Sequence, residues 1–174
     1  MVARLEPLRH IDPSRVAFSF CQTRKAVPHG MYASLTPLRF AGGALATVRR
    51  GRRWRIPRLT DRDGREMLYI LNFYLPRFLN LTFEAKLATI VHELWHISPR
   101  FDGDLRRFGG RCYAHSGSQK RYDAHVNALA KRWLALAPPE PLYEFLHHDH
   151  RELVRRYGRI YGQRFRAPRL VPVE

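Results

Sequence analysis

Two cysteines, Cys21 and Cys112, are too few for a disulfide framework in a chain of 174 residues, which suits a reducing compartment. No run approaches the roughly 18 consecutive apolar residues of a membrane span. The first residues, with Arg4, Glu6, Arg9 and His10, lack the apolar stretch of a signal peptide. These absences lead to the expectation of a cytoplasmic protein with no membrane partner. No zinc-finger spacing, P-loop or dinucleotide-binding glycine pattern is present, so no standard nucleotide fingerprint applies. The 12 prolines and 11 glycines are dispersed, which excludes collagen-like and low-complexity sequence, and a 45% hydrophobic composition is that of a globular chain. The length predicts one domain, 1–174.

Acidic residues are scarce: 15 Asp plus Glu oppose 31 Lys plus Arg, for a net charge of +16. Lysine is scarcer still at four, so 27 of the cations are arginine. Eight arginines lie between Arg49 and Arg65 and seven between Arg151 and Arg169, the latter in a basic C-terminal segment of about 151–174. Trp54 stands in the first cluster and Tyr157, Tyr161 and Phe165 in the second. Cations interleaved with aromatics form the footprint of a nonspecific nucleic-acid binder, so nucleic acid joins a protein or peptide substrate as an expected partner. Aromatics anchored to the core beneath solvated arginines would produce the same pattern.

Alternation and breakers outline the elements. Arg15–Thr23 and Met31–Phe40 read as extended, while Arg52–Thr60 and Glu66–Tyr74 flank the turn signal Asp61-Arg62-Asp63-Gly64 and predict a β-hairpin. Its second arm is nearly all apolar and suits a central strand ended by Pro76. Thr82 is the expected cap of a helix starting at Phe83, with Leu87, Ile90, Val91, Leu94 and Ile97 on its buried face and Ser98-Pro99 at its end. A glycine-rich loop over Pro99–Gly117 precedes a helix over Ser118–Ala137, with Tyr122, Val126, Leu129 and Trp133 inward. A third helix is predicted from Pro141 towards Tyr157.

Inside the first helix stands His92-Glu93-Leu94-Trp95-His96, an HExxH motif. Residues i and i+4 share a helix face about 6 Å apart, so both imidazoles can meet one metal ion while Glu93, on the neighbouring side, takes a proton from water. His147, His148 and His150 are also dense, but their spacing fans them around a helix.

The run HELWHISPRFDGDLRRFGGRCYAHSGSQKRYD, His92 to Asp123, resembles the signature of an HExxH metallopeptidase family of phages and prokaryotes. The resemblance implies a zincin-like α+β domain, in which a small β-sheet packs against the HExxH helix and further helices follow. It also implies Zn²⁺ as cofactor, His92 and His96 as ligands and Glu93 as catalytic base. A hydrolytic zinc site takes a third protein ligand. His115, which ends the glycine-rich loop and matches a histidine of that signature, is the first choice; Asp102, Asp123 and Cys112 remain alternatives. Asp102 has the metzincin spacing, but Pro99 stands where that pattern needs a turn glycine. No Glu occurs between Glu93 and Glu140, which removes the gluzincin arrangement. Arg111, Tyr113 and His125 are candidate oxyanion donors. Two other functions compete with the general peptidase: a DNA-dependent, SprT-like protease, and a nonenzymatic nucleic-acid-binding or regulatory protein with structural zinc.

Overall fold

The apolar run Tyr69–Leu75 becomes the middle of a sheet, the one place where both faces and both edges of a strand are covered. The computed structural model describes residues 1–23, 30–109 and 118–173. Among these residues the strands are β1 (Val16–Gln22), β2 (Ala33–Pro37), β3 (Ala46–Arg49), β4 (Arg52–Arg55), β5 (Tyr69–Leu75) and β6 (Val171–Pro172). The α-helices are α1 (Phe83–Trp95), α2 (Gln119–Ala135) and α3 (His150–Tyr157). The architecture is α+β, with one mixed sheet ordered β1-β5-β2 and a second, small antiparallel sheet ordered β3-β4-β6. No helix among the described residues is long and apolar enough to cross a membrane.

β5 runs parallel to β1, with Phe18 opposite Leu71, and antiparallel to β2, with Leu35 opposite Leu71. One sheet face supplies Val16, Leu71, Phe73 and Leu75 to the main core, where α1 adds Leu87, Val91 and Leu94 and α2 adds Tyr122, Val126, Leu129 and Trp133. The opposite face buries Ala17 and Ile70 with Leu38 and Met67, covered by Ile56, Leu59 and Phe165. Thr82 caps α1 by accepting a hydrogen bond from Ala85 N at 3.3 Å. Lys86, fully buried on α1, donates to the carbonyls of Leu146 at 2.9 Å and His148 at 2.7 Å, which fastens the helix to the C-terminal half.

Three sequence expectations need correction. The hairpin expected over Arg52–Thr60 and Glu66–Tyr74 is only a turn: Thr60 and Glu66 form an isolated bridge, β4 pairs with β3 and β6, and β5 pairs with β1 and β2. The two-residue loop Arg50-Gly51 makes the real hairpin, both residues having positive φ of 52° and 73°. The third helix begins only at His150; residues Glu140–Leu142 and Glu144–His147 are 3-10 turns, because Pro139 and Pro141 remove amide donors and Asp149 with Glu152 forms a capping box further on. Finally, α1 ends at Trp95 with His96 as its C-cap, before Ser98-Pro99.

The chain after α1 is pinned rather than loose. Ile97 bridges Leu105, and the buried Tyr69 hydroxyl donates to Asp104 O at 2.8 Å and accepts from Gly103 N at 3.0 Å. Gly103 has φ +85°, and a Cβ there would lie 2.5 Å from Arg39 Cγ. Tyr69→Phe leaves two buried main-chain groups without this partner and is expected to cost about 1–3 kcal/mol. A lower urea midpoint at unchanged m-value is the measurement that checks it.

Candidate metal centre

The helix period sets the two histidines one turn apart at the C-terminal end of α1. Their Nε2 atoms approach to 3.0 Å, with ring centroids 4.7 Å apart and planes at 79°. Zinc–imidazole bonds of about 2.0–2.1 Å in a tetrahedral site place ligand nitrogens about 3.3 Å apart, so the pair fits two corners of a zinc site. Tyr122 of α2, buried, lies against both rings at 5.0 and 5.7 Å, and its hydroxyl reaches His92 O at 3.4 Å. Burial, followed by the nearby Glu93 charge, raises the Tyr122 pKa, so the phenol stays neutral. Arg106 closes the helix end: its N–H donates to His96 O at 2.7 Å, its Nε to Trp95 O at 2.8 Å, and its guanidinium lies 3.8 Å from the Trp95 ring centre. A cation there complements the negative pole of the helix.

Glu93 is 7% exposed and sits between α1 and the outer edge of β2, where the Leu35 backbone N–H donates to its carboxylate. Burial raises its pKa to about 7, with the Leu35 bond opposing that rise. His92 and Glu93 open onto a cleft of about 470 Å³, walled by Gly30–Ala33 on one side and by Asp123, Val126 and Asn127 of α2 on the other. Gly30 allows the Arg77 guanidinium to approach, since a Cβ there would lie 2.5 Å from Arg77 Nη1.

Among the described residues no third His, Cys, Asp or Glu joins the histidine pair. His115 and Cys112, like the oxyanion candidates Arg111 and Tyr113, lie outside the described residues. Asp102 belongs to the pinned turn, where its carboxylate accepts from Asp104 N at 3.2 Å and packs beneath Gly43. Asp123 accepts from Gln119 at 2.7 Å and lines the cleft without forming a three-donor group with the histidines. His125 is exposed and packs 4.4 Å from the Trp95 ring. His147 stacks on Phe83 at 4.0 Å while His148 faces Glu152 at 3.6 Å, and His150 does not converge with them. Sequence reasoning missed Leu35, whose part is played by its backbone. It saw Tyr122 only as a core residue.

A folded-state pKa above the unfolded value of about 4.5 means that Glu93 favours folding when protonated. Its contribution is fully present below pH 4.5 and is lost as pH rises through about 7, a swing of about 3 kcal/mol. In chelator-treated protein, Glu93→Gln is therefore expected to flatten the fall in stability between pH 4.5 and 7 and to be the more stable form at pH 8. Urea unfolding at pH 5 and pH 8 checks this.

No family model, curated protein or solved structure matches the chain.

Proposed function

We propose that this chain is a zincin-like, zinc-dependent peptidase in which His92, His96 and His115 hold the metal and Glu93 is the general base. The observation that carries this reading is the convergence of two imidazole Nε2 atoms beside a buried carboxylate whose pKa is about 7, with His92 and Glu93 opening onto one cleft. A base works best with a pKa near the working pH, and burial brings Glu93 to that point. Bound zinc supplies a Lewis acid that polarises the scissile carbonyl and acidifies water.

The chain's own groups do the rest. The Leu35 N–H holds the Glu93 carboxylate at the edge of the cleft, from where it takes the proton of the attacking water and passes it to the leaving amine nitrogen. Alternation along β2 turns the main chain of Ala33 to the same outer edge as Leu35 N–H, so an extended peptide can lie along this wall and make strand-like hydrogen bonds. Asp123 and Asn127 supply polar contacts from the opposite wall. Tyr122 and Arg106 fix the rings and the helix end from behind.

Purified protein is expected to carry about one zinc per chain by elemental analysis, and a His92→Ala, His96→Ala double variant to lose it. Stoichiometric zinc in the double variant would place the metal elsewhere. Glu93→Gln should keep zinc and lower casein hydrolysis about 10²-fold or more, because the amide cannot accept a proton. Loss of zinc from that variant would reassign Glu93 as a ligand.

His115→Ala is expected to weaken zinc binding far more than Asp102→Ala in competition with a chelating indicator. The reverse order would move the third ligand to the metzincin position. Zinc that depends on Cys112 as well as on three histidines, in a protein without hydrolytic activity, would establish the structural-zinc alternative.

A further inference from the structure

The two arginine clusters, separated by some ninety residues in sequence, partly merge in the fold. After α3 the chain crosses the outer edge of β1, where Gln163 O accepts from Phe20 N and Ser19 Oγ accepts from Phe165 N. It then delivers Val171–Pro172 to β4 as β6, with Pro172 opposite Trp54 and Val171 opposite Arg55. Arg164, Arg166 and Arg169, all exposed, thereby reach the neighbourhood of the ribbon that carries Arg49, Arg50, Arg52, Arg53 and Arg55. Carboxylates are sparse along both segments: no Asp or Glu occurs between Asp12 and Asp61 or between Glu152 and Glu174. None of the five ribbon arginines forms an ion pair within the described residues.

One face of the ribbon is a hollow of about 450 Å³ lined by Arg49, Arg50, Arg52, Trp54 and Leu170. Arg49 and Arg52 stand directly opposite each other across the hairpin, a like-charge pairing that weakens a sheet. Arg50, at the tip, holds φ +52°, a conformation suited to Asn or Gly. Folding alone would favour other residues at all three positions, whereas a polyanion would compensate for them. The half-buried Trp54, whose ring lies 5.3 Å from the Arg52 guanidinium, adds an aromatic face among the cations. A base can use such a face only when it is not paired and stacked in a duplex.

The geometry points to the β3-β4-β6 ribbon as a docking surface for single-stranded nucleic acid, gripped through its phosphates by Arg49, Arg50 and Arg52 with a base on Trp54. Phosphates and a stacked base face are common to every sequence and to both sugars, so binding through them is indifferent to sequence and to sugar.

The test is fluorescence anisotropy of labelled dT and rU 15-mers with the full chain between 50 and 200 mM salt. Both oligonucleotides are expected to bind equally, with log affinity falling against log salt by about 0.7 per phosphate contacted, about 2 in all for three arginines. A duplex 15-mer should bind at least about fivefold more weakly, the loss of one stacked base. Arg50→Asn suits the turn and so should retain or raise the melting temperature while reducing affinity several-fold and the salt slope by about 0.7. Arg151→Gln with Arg155→Gln, exposed on α3, should leave binding unchanged. Absence of binding at 50 mM salt overturns the proposal, as does a duplex held as tightly as a single strand. So does an Arg50→Asn protein that is folded and binds normally, or an α3 variant that loses as much as the ribbon variant.

Discussion

A helix turns about 100° per residue, and α1 cannot bury Leu87, Val91 and Leu94 against the sheet without fixing where its other side chains emerge. Once the apolar stripe faces β5, His92 and His96 must stand together towards α2, and Glu93 must emerge between the helix and the edge of β2. The rest of the candidate centre follows from that orientation. Tyr122 fills the space behind the imidazoles because α2 packs there, and Leu35 meets Glu93 because β2 is the strand beside the helix. Lys86 adds an axial restraint: its buried ammonium, bound by two carbonyls, resists sliding of α1 along the sheet.

That arrangement carries a cost to folding at one residue. A carboxylate 7% exposed is disfavoured in its charged form, and one Leu35 N–H compensates only in part. An apolar side chain at position 93 would suit the core better. The same desolvation brings the group's proton affinity to the range in which it can both take and release a proton near neutrality. The ribbon arginines are a second case, with cations collected opposite one another and at a strained tip and with no ion pair among the described residues to relieve them.

The elements legible in the sequence were those whose signals are local. The stripe Leu87, Val91, Leu94 and the cap Thr82 define α1 within its own residues, Tyr122 to Trp133 do the same for α2, and the uniformly apolar β5 announces a central strand. Strand pairing was not legible, because partners are chosen in three dimensions. The prominent turn Asp61–Gly64 drew the arms on either side into a hairpin, while the real one turns on Arg50-Gly51, where arginine replaces the usual Asn. Asp149 and Glu152 did mark a helix start in plain spacing, but the run of residues from Pro141 concealed it. At the candidate centre, HExxH marked the histidine pair and Glu93. The amide of Leu35 could not be found, since a backbone donor leaves no trace in residue type.

The crossing of the C-terminal strap over β1 has a consequence for the company this protein keeps. An exposed strand edge is a template on which other chains can add, in productive or harmful registers. Here the strap occupies one side of the β1-β5-β2 sheet, with Phe20 N and Ser19 Oγ already engaged, and Gly162 lies so close to the Phe20 ring that any larger residue would force it away. The sheet is thus asymmetric in its hospitality: one margin is covered around Ser19 and Phe20 by the protein's own tail, and the other, along β2, faces the cleft. The same segment that carries arginines to the ribbon therefore also takes up part of the β1 edge on which a further strand could add.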